Sequence, residues 1–303
     1  MAGKLIPRKH QGAAFINEGR SLSFYYLLTH HPLTFKSIML QYLDFFNSRA
    51  TLRNYSATKE VSDSTLEQLL EAASHAPTTG NMQLYSVVAT RDPEMKARLA
   101  PLHFNQPAAT GCNVMLTFCA DFRRFERWCE ERNANPGFRN FHSFITALID
   151  TALFAQQFCT LAELNGIGSC YLGTVTYNAE AIAEVLDLPD RVVPVICLTV
   201  GYPAEGISWP APSDRIPVEG ILHKETYKDY SAEDIDHLFG AKEALEESKG
   251  FVEQNGKQTL AQVFTDIRYP GAMNESVSAA FAALLKKKDA FLRLSCPSRL
   301  TRT

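Results

Sequence analysis

Apolar residues recur along much of the chain at spacings that predict alternating helices and strands. Four of them follow the i, i+3, i+4, i+7 spacing of an amphipathic helix: Leu66, Leu69, Leu70 and Ala73. Ser64-Thr-Leu-Glu67 has the sequence of a capping box, which would open this helix. Pro77 is expected to end it, because proline lacks a backbone N–H and clashes with the preceding turn.

Short runs of β-branched and aromatic residues predict four strands, at 84–90, 114–119, 169–172 and 192–201. A helix near Pro93 to Pro101 is expected between the first two strands, and a helix capped by Asn178 before the last. The segment from His142 to Asn165 is apolar on most faces and closes at Gly166. This pattern predicts a long central helix buried against other elements.

The region after residue 230 is more polar and predicts short helices separated by turns. Lys249-Gly250 and Asn255-Gly256 are the expected turns, and a last helix is expected from Ser276 to Phe291. The lysines 286–288 near its end are interpreted as a solvated face that complements the helix dipole. Helices and strands interleave without a G-x-G-x-x-G after any strand, so the pattern favours an α+β sandwich over a Rossmann or Walker-type fold.

The composition excludes several classes of protein. With 303 residues, 46% of them hydrophobic, the chain can bury the core of one large domain or two small ones. A formal net charge of −3 gives no basic field for nucleic acid. The longest apolar segment, Phe144 to Leu164, is interrupted by Asp150, Gln156 and Gln157, so no membrane span is expected.

The cysteines are scattered without a C-x-x-C pair or a histidine at zinc spacing: Cys112, Cys119, Cys129, Cys159, Cys170, Cys197 and Cys296. We therefore expect no metal site, and reduced thiols in a cytoplasmic protein. Cys119, Cys159 and Cys197 lie in apolar segments, where a small hydrophobic role is expected.

Arg49-Ala50-Thr51-Leu52-Arg53-Asn54-Tyr55 is a candidate phosphate site. If this segment opens a helix, Arg49 and Arg53 lie four apart on one face, close to the Thr51 hydroxyl and free backbone N–H groups. Paired guanidinium groups suit the charge and the acceptor oxygens of a phosphate monoester. Taken alone, R-x-x-x-R is more often an exposed basic turn, but a second segment, Ala76-Pro77-Thr78-Thr79-Gly80-Asn81-Met82-Gln83, follows about 25 residues later.

Together the two segments resemble the FMN-dependent nitroreductase family, whose signature runs R-x-S-x-R-x-F/Y and then A-P-S-x-x-N-x-Q. Further matching stretches follow in order: 166–174, 188–194, 200–203 and 215–217. The resemblance covers roughly residues 45 to 230 and is closest to the larger branch of major oxygen-insensitive nitroreductases and NADPH–flavin oxidoreductases. It implies a three-layer α/β/α sandwich with a mostly antiparallel sheet, and an obligate homodimer that holds FMN in a cleft between subunits.

The resemblance also implies which residues hold the cofactor. The phosphate is expected on Arg49, Thr51, Arg53 and Arg215, with Ala50 contributing only backbone. Flavin contacts across the dimer interface are expected from Thr78 and Thr79, and Asn81 and Gln83 continue that loop. In any protein, Thr-Thr-Gly-Asn would equally serve as turn chemistry.

Two further stretches match residues that contact the flavin ring. Gln106 matches a glutamine that bonds the pyrimidine edge, although the neighbouring Asn105 carries the same amide chemistry. The stretch Tyr171-Leu172-Gly173-Thr174 matches backbone that passes close to the isoalloxazine. There a backbone N–H near Gly173 or Thr174 would donate to flavin N5, and glycine permits the approach.

No catalytic side chain is expected, because the flavin carries the chemistry. The implied mechanism is ping-pong: NADPH or NADH delivers hydride to FMN and leaves, and a small-molecule acceptor then takes two electrons. Nitroaromatics, quinones or free flavins are the implied acceptors. Two departures from the branch leave the nucleotide preference open: Ser213-Asp214-Arg215 replaces Lys-Pro-Arg, and Thr176 replaces an arginine associated with the NADPH phosphate.

These departures keep one alternative open, a flavin-binding storage or sensor protein without reductase turnover. A related enzymatic alternative is a specialised member that reduces an enone, dehalogenates an aromatic or fragments flavin. Three regions are expected along the chain. Residues 1–38 are an extension outside the domain, with Met39 as the natural start or a mobile arm as the alternative; residues 39–230 form the FMN-binding domain; and residues 231–303 form a helical extension that serves as a dimer arm.

Overall fold

The computed structural model describes residues 43–288. Contacts divide the chain into two units, Met1–Arg49 and Ala50–Thr303, and residues 43–48 of the first unit are helical. Several sequence predictions lie outside the described residues: the extension 1–38, the start at Met39, Cys296 and the end of the last helix toward Phe291.

The described part of the second unit contains four strands and ten helices. The strands are β1 (Tyr85–Thr90), β2 (Val114–Asp121), β3 (Gly168–Tyr171) and β4 (Val192–Gly201). The helices are α1 (Asp63–Ala73), α2 (Pro93–Leu99), α3 (Pro107–Gly111), α4 (Arg123–Glu130), α5 (Phe141–Leu164), α6 (Ala179–Val185), α7 (Ala232–Glu243), α8 (Glu246–Gln254), α9 (Leu260–Gln262) and α10 (Gly271–Lys287). A π-helix, Val263–Arg268, continues α9, and short 3-10 turns span Thr79–Asn81, Ala100–His103, Gly173–Val175 and Val218–Gly220.

The four strands form one antiparallel sheet in the order β1-β2-β4-β3. Successive side chains of a strand point to opposite faces of a sheet. Phe118 of β2 packs with Phe154 and Phe158 of α5 on one face, whereas Met115 packs with Leu99 of α2 and Ile182 of α6 on the other. Helices therefore cover both faces, and the predicted α/β/α sandwich is confirmed.

The long apolar segment forms α5, within one residue of its predicted ends. Asn140 caps its first turn, and Gly166 follows its end with left-handed backbone (φ 71°). By length and composition α5 could also cross a membrane, but one face of it packs on the sheet. On the opposite side of α5, Ile149 and Leu153 are 51% and 41% exposed. The prediction that α5 is buried on most faces is therefore correct only for the face that packs on the sheet.

The predicted start of α1 is wrong. Ser62, rather than Ser64, is the N-cap, because its hydroxyl accepts the Thr65 N–H at 3.1 Å. The helix also ends at Ala73, before Pro77 is reached.

Two predictions about the C-terminal helices are also wrong. Lys249-Gly250 lies inside α8, since a helical glycine costs only about 1 kcal/mol relative to alanine, whereas the turn at Asn255-Gly256 is confirmed by left-handed Gly256 (φ 59°). The last helix begins at Gly271, directly after Pro270, instead of at Ser276.

The lysines at the end of α10 are not simply a solvated face. Lys287 Nζ lies 2.7 Å from a Glu180 carboxylate oxygen and 3.2 Å from one of Glu184, both on α6. Lys288 Nζ donates to the Leu188 carbonyl. These contacts hold the end of α10 against α6 and the loop that follows it.

Candidate cofactor site

The segment carrying the predicted phosphate residues is not helical, so the prediction that Arg49 and Arg53 share a helix face is wrong. Helix 43–48 ends before Arg49, and residues 51–54 have no regular structure. Tertiary contacts explain this conformation. The Leu52 N–H donates to the Ser169 carbonyl of β3 at 3.1 Å, and the Ser56 N–H donates to the Tyr202 carbonyl at 2.8 Å. The segment thus lies along one end of the sheet.

Two glycines of the later motifs make room for this segment. Gly168 and Gly201 are partners in the β3–β4 register. A Cβ on Gly168 would lie 2.1 Å from Leu52 Cδ2, and one on Gly201 would lie 2.9 Å from Tyr55 Cδ1. The first motif and the glycines of the later motifs are therefore parts of one packed unit, which explains why they occur together.

Tyr55 ties residues 51–54 to β4 through its side chain. Its hydroxyl lies 2.9 Å from the Leu52 carbonyl and 3.0 Å from the Thr199 carbonyl of β4. Burial raises the pKa of Tyr55 far above its ordinary value, so the phenol stays protonated and serves as a hydrogen-bond donor. With Leu52 and Tyr55 facing inward, the Arg53 side chain is left exposed and Thr51 half-buried. An exposed guanidinium beside a threonine hydroxyl suits a phosphate ligand.

The Thr78–Gln83 loop is fixed by Asp150, a fully buried carboxylate on α5. The hydroxyls of Thr78 and Thr79 donate to the two carboxylate oxygens at 2.5 and 3.0 Å. The backbone N–H of Thr79 donates at 3.0 Å and that of Leu84 at 3.4 Å. Four donors on one ionisable acceptor hold both ends of the loop on the central helix.

Asn81 and Gln83 occupy the exposed tip of this loop. Gly80, Asn81 and Gln83 all have positive φ, between 54° and 57°. The Gln83 N–H donates to Thr78 Oγ1 at 2.9 Å, and its side-chain amide lies 3.3 Å from Asn81 Oδ1. Two predicted flavin-contacting side chains are therefore paired with each other at the surface.

Asp150 is a functional candidate that sequence reasoning missed. In the sequence, Asp150 stands out only as an interruption of an apolar run. The available signal was a lone carboxylate in the middle of a helix with apolar residues on nearly every side, since such a group is rarely buried without several donors.

The stretch Tyr171–Thr174 leads from β3 into a 3-10 turn. The Leu172 N–H donates to the Cys197 carbonyl at 2.9 Å, and the Leu172 side chain is buried. The first N–H groups of such a turn, here those of Gly173 and Thr174, have no acceptor within it. Gly173 is exposed, and a Cβ placed there would meet no described atom within 4 Å. The space beside the Gly173 backbone is therefore open to an incoming group, whereas Thr174 is buried.

Gln106 begins α3 on a loop next to that turn. Its side-chain amide donates to the His103 carbonyl at 3.1 Å. His103 is completely buried, and its Nδ1 lies 2.9 Å from Thr174 Oγ1. Burial lowers the pKa of His103 to about 4, so the ring is neutral near pH 7. Sequence reasoning missed this histidine, which carries no motif signal.

Arg215 lies in residues 207–217, which have no regular structure. Its guanidinium donates to the carbonyls of Ser213 (3.2 Å) and Asp214 (2.8 Å), its own neighbours. The Asp214 carboxylate, which departs from the family pattern, pairs with Lys242 of α7 at 3.0 Å. The departure therefore ties this segment to the C-terminal helices.

Cys119, Cys159 and Cys197 lie in buried hydrophobic clusters, as their apolar segments predicted. Six thiols among the described residues are buried: Cys112, Cys119, Cys129, Cys159, Cys170 and Cys197. Burial raises the pKa of Cys112 to about 11, and that of Cys197 also rises. Within residues 43–288, no group of three or more histidine, cysteine or carboxylate side chains could hold a metal ion.

Comparison with known proteins gives consistent matches. A model described as the nitroreductase family matches residues 47–112 and 130–202. The FMN reductase (NADPH) of Bacillus subtilis is 34% identical over 188 residues, which span 60% of this chain and 74% of that protein. A crystal structure from Bacteroides fragilis has 51% identity and a TM-score of 0.79, with 82% of this chain and all of that chain covered. The NfrA1 nitroreductase of B. subtilis has 25% identity and a TM-score of 0.70, with coverage of 82% and 98%.

Proposed function

The chain belongs to the nitroreductase family, and we propose that it is an FMN-dependent NAD(P)H oxidoreductase. One observation carries the residue assignments. The Arg53 segment is hydrogen-bonded at Leu52 to Ser169 of β3, and β3 leads directly into the Gly173–Val175 turn. The phosphate end and the ring end of the expected cofactor are therefore supported by one strand.

The described residues fit FMN by the chemistry of their donors. Arg53 and Thr51, together with Arg49, the Ala50 backbone and Arg215, would hold the phosphate through charge-assisted hydrogen bonds. Their role is anchoring, and none of them exchanges a proton with substrate.

The ring would be held by loops that present outward donors and acceptors. The backbone of Gly173 borders open space, the first N–H groups of its turn have no acceptor within the turn, and the Gln106 Nε2–H donates to the His103 carbonyl, which leaves Oε1 as an acceptor. Since Thr78 and Thr79 donate their hydroxyl protons to Asp150, both hydroxyls offer only lone pairs to a ligand. When bound, FMN supplies the two-electron chemistry between NAD(P)H and the acceptor.

The exposed face of α5 supports the proposal of a homodimer. Three large apolar residues lie along it: Ile149, Leu153 and Leu164. The face also adjoins the ring loop, because the Tyr171 hydroxyl lies 3.3 Å from Gln156 Oε1 of the same helix. We propose that a second copy covers this face and completes the flavin cleft, which would couple cofactor content to assembly. A cytoplasmic location is proposed from the cysteines, which are scattered along the sequence without a C-x-x-C pair.

A flavin-binding protein without turnover is the second candidate. It is favoured by one observation: Asp214, where the larger branch has proline, neutralises Lys242, and no lysine precedes it at residue 213. The acceptor of the enzyme would be a nitroaromatic, a quinone or a free flavin.

The decisive test is the anaerobic absorption spectrum of the purified protein before and after one equivalent of NADH or NADPH. A flavin band that either nucleotide bleaches supports the oxidoreductase. A flavin band that neither bleaches supports the binding protein. Absence of flavin even after reconstitution with FMN overturns both functions.

Arg53→Ala tests the phosphate assignment. The dissociation constant of FMN should rise roughly tenfold or more, because a charge-assisted hydrogen bond is lost. The unfolding free energy of the apoprotein should stay nearly unchanged. Arg132→Ala is the matched control, since the Arg132 guanidinium bonds the carbonyl of its own neighbour, Glu131, away from the site. Equal losses of FMN binding and apoprotein stability would make Arg53 a structural residue.

A further inference from the structure

Two loops expected to face the flavin ring are joined by a buried histidine. One loop, Leu102–Gln106, carries the amide expected at the pyrimidine edge; the other, Gly173–Val175, carries the N–H groups expected to donate to the ring. His103 Nδ1 and Thr174 Oγ1 are 2.9 Å apart, and His103 has no exposed surface. The pair lies directly between the two groups that would set the position of the ring.

Two further contacts flank this pair. The side-chain amide of Asn178 donates to the Leu102 carbonyl at 2.7 Å instead of capping α6. The rings of Phe104 and Tyr177 lie 6.4 Å apart. Phe104 is 61% exposed, so the ring contact is open to solvent, whereas His103 is completely buried.

The hydrogen-bonding state of His103 follows from its surroundings. Among the described residues, its Nε2 has no hydrogen-bond partner. A buried N–H left without an acceptor is rarer than a buried acceptor left without a donor. We therefore assign the neutral tautomer in which Nδ1–H donates to Thr174 Oγ1. The Gln106 amide bonds the backbone carbonyl of the same histidine, so the whole amide–histidine–threonine chain is connected.

We propose that His103 is a positioning residue for the flavin: through Thr174 it clamps the Gln106 loop onto the Gly173–Thr174 turn and fixes the spacing of their contacts to the ring. This inference rests on the proposed FMN function. A histidine that merely filled space would not need a partner on this particular turn. The low pKa of the ring keeps the clamp uncharged in the working range of pH.

Thr174→Val is the sharpest variant, because it keeps the shape of the side chain and the backbone N–H but removes the hydroxyl. Thr117→Val is its matched control, since Thr117 is also buried, in β2, but its hydroxyl has no described partner. We expect Thr174→Val to weaken FMN binding roughly 3- to 10-fold, the worth of one hydrogen bond, and to shift the midpoint potential of the bound flavin. Thr117→Val should change neither quantity.

His103→Asn and His103→Leu test the other partner. An asparagine amide can place a donor near the position of Nδ1, so His103→Asn should restore most of the FMN affinity and potential that His103→Leu loses. The double variant His103→Leu/Thr174→Val should bind FMN no more weakly than whichever single variant binds it less tightly, since both substitutions remove the same hydrogen bond.

The outcomes separate the clamp from the proposed function. Wild-type protein that binds no FMN overturns both. Wild-type protein that binds FMN, with Thr174→Val matching it in affinity and midpoint potential, overturns the clamp alone. Equal losses in Thr174→Val and Thr117→Val would also overturn it, because the effect would then be general to buried threonines.

Discussion

The Thr78–Gln83 loop and residues 207–217 are expected to touch the same cofactor, yet they are held in opposite ways. The loop bonds a carboxylate that is completely buried in the central helix. The segment around Arg215 bonds its own neighbouring carbonyls and has one ion pair, in which the Asp214 and Lys242 side chains are 39% and 33% exposed.

The two regions differ in how far their contacts are preorganised for the cofactor. Hydrogen bonds to an ionised group away from water are strong, and unmaking them leaves several donors orphaned. A partly exposed ion pair is screened by solvent and is typically worth less than about 1 kcal/mol. The loop should therefore be set before the cofactor arrives, whereas the Arg215 segment should settle only around the phosphate.

Asp150→Asn should have the largest effect, because it disrupts the hydrogen bonds that hold the Thr78–Gln83 loop. An amide offers one acceptor oxygen and turns donors toward Thr78 and the Leu84 N–H, so we expect the unfolding free energy of the apoprotein to fall by about 3 kcal/mol. Denaturant titration measures this loss. Asp63→Asn is the control, because it makes the same change on a side chain that is 80% exposed. A loss below about 0.5 kcal/mol would show that the loop is not fixed by this carboxylate.

Acidification should lower the stability of the folded protein through His103. Its pKa falls from an ordinary 6.5 to about 4 in the folded protein, so the unfolded chain binds an extra proton between these values, and stability declines as the pH drops. The expected loss from about pH 7 to about pH 5 is about 2 kcal/mol. Subtracting the profile of His103→Asn from that of the wild type isolates it, and identical profiles would contradict the prediction.

Arg215→Ala should leave the unfolding free energy of the apoprotein nearly unchanged, within about 0.5 kcal/mol, because within residues 43–288 its guanidinium hydrogen-bonds to carbonyls of its own segment. FMN should nevertheless bind roughly tenfold more weakly. Apoprotein denaturation and flavin titration give the two numbers. A large loss of apoprotein stability would place Arg215 with the preorganised contacts.

Asp214→Asn should have the smallest effect. Breaking the pair with Lys242 should cost about 0.5 kcal/mol or less and only at low salt. Removing a negative charge beside the expected phosphate should tighten FMN binding slightly. Titrations at low and high ionic strength measure both changes, and weaker binding would show that the pair itself positions Arg215.

Long apolar patterns were predictable from the sequence. β4 has its predicted bounds and α5 lies within one residue of them, because burial along a whole element leaves a strong periodic signal. The family resemblance, and with it FMN and the sandwich fold, came from ordered motifs and agrees with the family match.

What the sequence could not show depends on tertiary partners. Residues 51–54 follow the sheet instead of forming a helix because Leu52 bonds Ser169, a residue more than a hundred positions later. Asp150 and His103 acquire their roles only when α5 and the Gly173–Val175 turn come into place. No local pattern contains such information, because each side chain alone resembles an ordinary core or helix residue.

The packing of Leu52 against Gly168 has a consequence for how this sequence can change. The two positions share one volume, since a Cβ on residue 168 would fall 2.6 Å from the Leu52 Cβ itself. Bulk can be exchanged between them but not added, so a side chain at residue 168 becomes acceptable only in a lineage in which residue 52 is already glycine, because every other residue keeps the Cβ that lies in the way. The two residues, 116 positions apart, should therefore change together, and a library that randomises residue 168 alone will return mostly the parent.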